Sequence, residues 1–455
     1  MLWQKRRFRC IGQAMRLGGT TNETSDDSSL TLDRWTILII VAALLCEWIY
    51  SGYTSYTVRN ADGWEHLRYV TYLVDHHSLP SALNCNVCHH PPLYYAIAAG
   101  VAIVGEHFHV QDVPLLLQRL SLVFSAWYLL FAAMTLRLYV SERLTQWVGT
   151  ALIAFFPGNI IASCRLHNDS LANALVVAAA YFVLAWWQGG NGRKLANGSL
   201  LIGLAILTKS TGAVVLGLLV ALSGHRIWKA KSQTLVIREL LPAAAILTTA
   251  IGLRSWLRVP IKGASLCFSN LGRACQPADR NLDRGLSTYF GLNFREYLAE
   301  PFLRVGPGSV EEGNFWNCLL KSSLFGMYQG IPDPEMSNGI NTQLALGLNV
   351  LLLLLVLSGL VLAATANVEW FLRHMPLLVL CSLSIAFLIA FRLAVSNPHH
   401  GDIRHVLGVT VWVSVLLMSL LERQLRSRRW IYFSGLGLSL VLVCVSIVFF
   451  MPKPA

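Results

Sequence analysis

The sequence predicts an all-α protein that crosses a membrane many times. Of its 455 residues, 55% are hydrophobic and only 13% are charged, whereas about 25% of residues are charged in ordinary soluble proteins. Apolar segments of about 17 to 25 residues, the length that crosses a bilayer core, recur along the chain. A soluble fold could not bury this much apolar surface, so the bilayer is the natural solvent for most of the chain.

The distribution of basic residues indicates topology and not a nucleic-acid partner. The formal net charge is +12, but a nucleic-acid-binding protein needs a basic face or stripe, and here the basic residues punctuate apolar segments. Residues 1–34 are polar and basic ahead of the first apolar run, which lacks the cleavage site of a removable signal peptide. We expect them to form a cytoplasmic tail in a multi-pass protein.

The apolar segments predict eleven crossings. They are 35–53, 120–138, 147–165, 170–188, 197–208, 210–223, 240–256, 344–365, 375–394, 406–421 and 430–450. The stretch 93–104 is too short to cross and is predicted to be interfacial or re-entrant, because every basic connector then lies on the cytoplasmic side. The pair meeting at Lys209 is predicted to consist of half-length helices whose turn lies below the outer surface.

This topology divides the chain into four parts. After the tail come a transmembrane module at 35–256, a large extracytoplasmic loop at 257–341, and C-terminal transmembrane helices at 342–455. The module contains a first extracytoplasmic loop at 54–119. We expect the chemistry to lie in the extracytoplasmic regions.

The first extracytoplasmic loop contains polar residues at helical spacing. Asp62 and His66 stand at i and i+4, so on a helix they share a face, where one could act as a general base while the other orients substrate or binds a metal. Alternatively, Asp62 caps that helix. The loop ends with His90, two prolines, and the pair Tyr94 and Tyr95.

Further polar residues interrupt the apolar segments. His167, Asn168 and Asp169 lie in a short outer loop with Arg165 just before it, and these four polar residues could face a substrate site. Alternatively, Asp169 caps the helix that follows. Lys209 costs roughly 2.5–3.5 kcal/mol in an apolar segment unless it finds a partner, such as an anionic ligand, or extends to the interface. Arg404 and Arg392 lie near the outer ends of two late spans and could hold phosphate oxygens, although Asp402 could pair with Arg404 structurally.

The cysteines form two groups in outer loops. The segment from Cys85 to His89 matches the haem-attachment pattern C-x-x-C-H, but it runs into two prolines and lacks a surrounding cytochrome-like domain. A Cys85–Cys88 disulfide or a zinc site with His89 or His90 is favoured. Cys267 and Cys275 share one outer loop, and could also pair.

The order of these residues resembles the GT-C superfamily of membrane glycosyltransferases, in particular the branch of protein O-mannosyltransferases and lipid A aminoarabinose transferases. The resemblance covers residues 55–212 and is only architectural beyond them. The matching features are Asp62 with His66, a Leu-Pro, the run from His90 to Tyr95, Arg119, Pro157, Asn168-Asp169 and Leu207-Thr208-Lys209.

The resemblance implies a GT-C type bundle and an inverting glycosyltransferase that uses a polyprenyl-phosphate sugar. It implies that Asp62 is the catalytic base or acceptor-binding acid, that Asp169 is the second-loop acid and that Lys209 binds the donor phosphate. Arg404 matches a phosphate-side arginine, and the surrounding cavity would be shaped by His66, His90, Tyr94, Tyr95 and Asn168. The chain departs from the family at Gly63, where many relatives have a second carboxylate.

The resemblance also sets the expected location and partners. We expect an enzyme of the inner (cytoplasmic) membrane with its site on the periplasmic side, surrounded by membrane lipid. No cofactor is demanded by the sequence, although the family is divided on metal use and a divalent ion is left open. The donor sugar, hexose or pentose, and the acceptor, whether protein, glycan or lipid, are not identified. A lipid-linked sugar flippase and a non-catalytic subunit of a glycan assembly complex are the alternatives.

Overall fold

The chain folds into a bundle of helices, as the sequence predicts. The computed structural model describes residues 32–57, 60, 62–81, 84–230, 236–258, 291–305, 314–326, 328–329, 339–394 and 401–451. Residues 1–31 of the predicted cytoplasmic tail, His399, His400, Cys267 and Cys275 lie outside these residues. Within them, regular structure other than helix is confined to two short strands, β1 (Arg304–Val305) and β2 (Tyr328–Gln329), which pair in parallel.

The helices of the first half run from residue 34 to residue 258. They are α1 (Arg34–Tyr53), α2 (Gly63–His76), α3 (Leu93–His107), α4 (Val113–Tyr139), α5 (Arg143–Ala154), α6 (Pro157–Ser163), α7 (Asn168–Gly189), α8 (Gly192–Thr208), α9 (Ala213–Ala230) and α10 (Leu241–Arg258). A 3-10 turn at Ser210–Gly212 precedes α9, and a π-helical turn at Val236–Leu240 precedes α10.

The described helices of the second half belong to the large loop and to the C-terminal bundle. They are α11 (Phe294–Ala299), α12 (Phe315–Phe325), α13 (Gly339–Ala364), α14 (Val368–Ala394), α15 (Gly408–Gln424) and α16 (Arg429–Phe450). A 3-10 turn at Ile403–Val406 leads into α15.

The prediction of a polytopic all-α membrane protein is confirmed. Among the described residues, eight helical segments are long and apolar enough to cross a bilayer, and the pair α5 and α6, bent by 54°, makes nine if it is one span. The other two predicted crossings coincide with α8 and α15, each of 17 residues, or about 25 Å of helix. The count of eleven crossings stays a prediction.

Helices α8 and α9 are longer than the half-length pair predicted around Lys209. Helix α8 has 17 residues, and the segment Ser210–Lys229 has 20. The helices continue beyond the apolar runs because polar residues such as Arg193 and Arg226 extend them at the ends remote from Lys209. The predicted break at Lys209 is present, since this residue has extended backbone angles of φ −160° and ψ 155°.

The first helix shows how the bundle separates its core from lipid. Asp33 caps α1 by accepting hydrogen bonds from the backbone N–H groups of Trp35 and Thr36. Ile40, Ala43, Glu47 and Tyr50 are buried at intervals of three and four residues, which places them on one face. The exposed face is also apolar, as expected for a helix that contacts lipid.

Helix α7 lies at the centre of the bundle. Its apolar window is 83% buried, more than that of any other candidate span among the described residues. It packs against α8 and α4, while α10 packs on the other side of α8. The residues before α7 and after α8 are therefore held at the protein interior.

Helices α2 and α3 lie beside this bundle. Helix α3 has 15 residues, too few for a crossing, and it packs between α2 and α4. The loop between α2 and α3 contains a disulfide between Cys85 and Cys88, which is one of the alternatives that the sequence left open. Because both thiols are used in this bond, the C-x-x-C segment offers no thiolate to zinc or haem in this structure.

The topology predicts opposite exposure of two connections. A cysteine at Gln111, before α4, is expected to react with a membrane-impermeant maleimide added to the extracytoplasmic side, whereas one at Arg426, after α15, is expected to react only from the cytoplasmic side. Labelling in sealed vesicles of each orientation, compared with that of the parent protein, measures this. The predicted topology has an odd number of crossings between these two positions. Reaction of both from the same side would refute it.

Candidate functional site

Six charged residues from four segments converge at one end of the bundle. We call them the charge cluster: Asp62, Arg165, Asp169, Lys209, Asp402 and Arg404. They come from the start of α2, the α6–α7 connection, the break between α8 and α9, and the turn before α15. All are buried except Asp62, whose side chain is 29% exposed. The predicted residues Asp62, Asp169, Lys209 and Arg404 thus belong to one constellation.

Asp62 stands at the N-terminus of α2, but its side chain makes no capping hydrogen bond there. Its Oδ1 instead accepts a hydrogen bond from Arg404 Nη1 at 3.1 Å and lies 3.3 Å from His167 Nε2. The capping alternative is therefore wrong for Asp62. Its carboxylate connects the first extracytoplasmic loop to the connection before α15, 342 residues later.

The surroundings of Asp62 keep it ionised. Burial raises the pKa of this carboxyl, but the guanidinium of Arg404 and the imidazole of His167 lower it more, and the resulting pKa lies well below the usual range. A carboxylate held in this way is a weak base while Arg404 is bonded to it. Removal of Arg404 from Asp62 would raise its basicity.

Gly63 explains why a second carboxylate does not follow Asp62. A Cβ atom at this position would lie 2.7 Å from the backbone oxygen of Tyr56 and 2.6 Å from Asn60 Nδ2. Both distances are shorter than real Cβ contacts, so any side chain would force the backbone before α2 to move. A second carboxylate directly after Asp62 therefore does not fit this loop.

Glu65, the next acid along the chain, faces away from the charge cluster. Its Oε2 accepts a hydrogen bond from the backbone N–H of Asn86 at 3.2 Å, and its Oε1 accepts one from Asn86 Nδ2 at 2.9 Å. Glu65 thus attaches α2 to the segment closed by the Cys85–Cys88 disulfide. Asp62 is the only carboxylate that the described part of the first loop contributes to the cluster.

Asp169 and Lys209 form a buried ion pair between Oδ1 and Nζ. Lys209 Nζ also donates to His405 Nδ1 at 3.2 Å. The side chains of both members of the pair are 7% exposed, so the alternative that Lys209 extends to the interface is wrong. His167 is the residue that caps α7, because its Nδ1 accepts the backbone N–H of Asp169. Asn168 donates to the carbonyl of Thr208 at 3.4 Å and fixes α7 beside the break.

Arg404 is held by two carboxylates. Its Nη1 contacts Asp62, and its Nε lies 3.3 Å from Asp402 Oδ2. Asp402 also caps its own turn by accepting the backbone N–H of Arg404 at 3.0 Å. The proposed structural pairing of Asp402 is therefore present together with a contact from Arg404 to the candidate catalytic acid. Arg392 is fully buried on α14, outside the charge cluster.

An aromatic layer supports the first-loop side of the cluster. Tyr95 Oη and His66 Nδ1 are 2.8 Å apart. The ring of Tyr95 stacks on that of Tyr69, with 3.8 Å between the ring centroids. The rings of His90 and His66 are also stacked, with 6.0 Å between their centroids. Because His66, Tyr94 and Tyr95 are fully buried, they position the site and do not form an open binding surface.

The imidazoles in this layer are neutral. Burial lowers the pKa of His66 to about 3, with a further contribution from His167. Burial, together with His89, also holds the pKa of His90 well below its usual range. Neither imidazole adds positive charge to the site near neutral pH.

One group of side chains has the composition of a metal site. The donor atoms of Asp62, His66 and His167 lie within 4.8 Å of one another, and two imidazoles with one carboxylate suit transition metals. The Nε2 atoms of both histidines have no hydrogen-bond partner, which is compatible with metal binding. The guanidinium of Arg404 on Asp62 opposes a second cation there. The divalent ion that the sequence left open therefore stays a prediction.

Some residues of the site were predicted only as polar neighbours of the candidate residues. His167 and Arg165 flank the predicted Asn168-Asp169 pair, and Asp402 and His405 flank Arg404. Their proximity to predicted residues was the available signal. Glu65 gave none, because its partner Asn86 lies 21 residues away in an irregular segment.

Comparisons with known proteins give likeness in structure but not in sequence. No protein-family model matches the chain, and no curated protein matches it by sequence. The crystal structure of ArnT from Cupriavidus metallidurans bound to undecaprenyl phosphate is similar to it, with 13% identity and a TM-score of 0.38, over 86% of this chain and 78% of that chain. At this level of likeness, ArnT assigns neither a ligand nor a reaction to this chain.

The contacts of Glu65 predict a structural role. Glu65→Ala is expected to speed hydrogen exchange of the amides from Cys85 to His90 and to lower the free energy of unfolding by about 1.5–3 kcal/mol, the value of hydrogen bonds to a charged group. Glu65→Gln, which keeps one acceptor, should have a smaller effect. Hydrogen exchange and thermal unfolding measure both, with the exposed Glu106→Ala on α3 as the control. Unchanged exchange in Glu65→Ala would contradict this role.

Proposed function

We propose that the protein is an inverting glycosyltransferase that moves a sugar from a polyprenyl-phosphate donor to an acceptor hydroxyl. The observation that carries the proposal is the convergence of one partly exposed carboxylate, Asp62, with the buried cations Lys209 and Arg404. A sugar phosphate needs cations for its anion, and a hydroxyl nucleophile needs a base. These requirements are combined here within a membrane bundle.

Asp62 serves as the base in this proposal. Its carboxylate is the member of the charge cluster with an exposed side chain, so an acceptor hydroxyl can approach it. While Arg404 is bonded to it, Asp62 is a weak base. When the donor phosphate accepts hydrogen bonds from Arg404 in place of Asp62, the basicity of Asp62 increases. Asp62 can then accept the proton of the acceptor hydroxyl. Donor binding and base activation are thereby linked.

Lys209 and Arg404 stabilise the leaving group. The bond between the anomeric carbon and the phosphate oxygen breaks, its electron pair leaves with polyprenyl phosphate, and the acceptor oxygen bonds to the anomeric carbon from the opposite face. The acceptor proton passes to Asp62. Attack from the opposite face gives inversion, and cations beside the phosphate lower the energy of the charge that develops on it.

The remaining predicted residues hold these groups in place. Asn168 attaches the start of α7 to the end of α8, so Asp169 meets Lys209. His66, which is hydrogen-bonded to Tyr95, lies beside Asp62 and restricts its position. His90 and Tyr94 belong to the same aromatic layer. We propose that all five act by shaping the cavity in which donor and acceptor meet.

We propose that this reaction takes place on the extracytoplasmic side of an inner (cytoplasmic) membrane, in agreement with the topology predicted from the sequence. The donor lipid would remain in the bilayer beside the bundle, and the head group would reach the charge cluster from there. We further propose that the domain division follows the chemistry, with the cluster contributed by 35–256 and by the C-terminal helices of 342–455. The loop at 257–341 would shape acceptor choice. The transferred sugar is a hexose or a pentose, and the acceptor is a protein, a glycan or a lipid.

Transfer of radiolabelled sugar in proteoliposomes tests the proposal. Asp62→Asn is expected to lower transfer at least 100-fold, because general base catalysis contributes about 10²–10⁴-fold. The exposed Asp75→Asn on the same helix α2 is the control and should retain full activity. Wild-type transfer that survives in Asp62→Asn would refute this role of Asp62.

The test of Lys209 requires a paired variant. Lys209→Ala alone leaves Asp169 buried without its partner, which costs about 3–5 kcal/mol of stability. Lys209→Ala combined with Asp169→Asn removes both charges, and we expect this variant to fold and to lose at least 100-fold in transfer through the lost stabilisation of the phosphate. Absence of transfer by the wild type from every polyprenyl-phosphate sugar supplied would favour a flippase or a non-catalytic subunit.

A further inference from the structure

Arg165 is a cation of the charge cluster for which the described part of the chain provides no ion-pair partner. It lies in the connection between α6 and α7 and is 6% exposed. Its Nε has no hydrogen-bond partner, and none of the ion pairs among the described residues involves its guanidinium. Leaving an arginine charge buried without a partner is costly.

The neighbouring cations are already occupied. Lys209 is bonded to Asp169, and Arg404 contacts both Asp62 and Asp402. Arg165 faces the same groups at longer range. Burial lowers its pKa, Asp402 acts in the opposite direction, and the charges of Arg404 and Asp169 also reach it. Its guanidinium therefore lies within the field of the cluster without being bound by any member of it.

The backbone of Arg165 is fixed by buried hydrogen bonds. Its carbonyl accepts the hydroxyl of Ser121 at 2.6 Å and that of Ser170 at 3.4 Å. These contacts come from α4 and α7, the two helices on either side of the connection. A residue held in this way presents its side chain to the site from a preorganised position.

The charge balance of the cluster depends on Arg165. Without it, the two cations Lys209 and Arg404 would face the three carboxylates of Asp62, Asp169 and Asp402, and an anion would meet a site of net negative charge. With Arg165 the six formal charges balance. A guanidinium also presents two parallel N–H groups to phosphate oxygens, which a lysine cannot do.

We propose that Arg165 is a third phosphate-contacting cation, which binds the donor anion without taking Lys209 from Asp169. The inference rests on the proposed function, because the anion is the phosphate of the polyprenyl-linked donor. The phosphate enters beside Arg165 first, since that cation has no carboxylate to lose. Exchange of Arg404 from Asp62 to the phosphate then follows within the same site.

Binding of undecaprenyl phosphate to the purified full-length protein in nanodiscs tests this role without requiring transfer. Arg165→Met is expected to weaken binding by about 10- to 100-fold, as loss of a charged hydrogen bond implies. Arg165→Lys should recover part of the loss. Undecaprenol, which lacks the phosphate, should bind both variants as it binds the wild type. The exposed Arg426→Met, after α15, is the matched control and should bind as the wild type does.

The melting temperature of the ligand-free protein separates ligand binding from a structural role. Because the charge of Arg165 is buried and unpaired, Arg165→Met is expected to leave this temperature unchanged or to raise it, whereas undecaprenyl phosphate should stabilise the wild type more than the variant. A lower melting temperature together with weaker binding of undecaprenol would assign Arg165 to the structure and overturn the inference.

The same experiment distinguishes failure of the inference from failure of the proposed function. Equal affinity of wild type and Arg165→Met for undecaprenyl phosphate would overturn the role of Arg165 and leave the donor class standing. Absence of binding to the wild type would overturn the donor class and, with it, the role of Arg165. If Arg165→Met does not fold, Arg165→Lys provides the comparison, and unchanged affinity there together with an unchanged salt dependence overturns the bidentate contact.

Discussion

The buried ion pair between Asp169 and Lys209 is the constraint on which the arrangement of the charge cluster, at one end of the bundle, depends. Each charge is costly to bury without the other. Asp169 lies in the first turn of α7, and Lys209 directly follows α8. The pair can form only if α7 and α8 pack antiparallel with those ends adjacent. That packing puts the most buried helix at the centre and fixes where the remaining segments can attach.

The pairs made by Arg404 extend this constraint to the rest of the chain. Through Asp62 and Asp402, Arg404 connects the first extracytoplasmic loop with the turn before α15. Asn173 of α7 donates to the carbonyl of Arg404 at 2.9 Å and joins this connection to the central helix. Charges from distant parts of the sequence thus satisfy one another at one place, and the groups that stabilise the fold are also the groups that an anionic ligand would contact.

The lengths of the apolar segments and the positions of the basic residues between them predict most of the helices, because a bilayer constrains both. They also identify 93–104 as a non-crossing segment, and the structure has a 15-residue helix there. The ends of α8 and α9 were underestimated, since polar residues that reach past the apolar core carry no hydropathy signal. Four site residues could be named from their order in the loops. Of their partners, Asp402 could be named for Arg404 because it is two residues away. The contact of Asp62 with Arg404 could not, because it depends on packing between segments far apart in sequence.

The structure also shows why Asp62 is the only candidate base among the described residues of the first loop. Position 63 has no room for a side chain, and Glu65 is committed to Asn86. In the proposed reaction, Asp62 is then both the partner of Arg404 in the ligand-free protein and the base during transfer. One carboxylate can serve in both roles only if Arg404 leaves it when the phosphate arrives. Arg165, which has no ion-pair partner among the described residues, would make this exchange easier in the proposed reaction, because it would let the anion bind before any existing ion pair is broken.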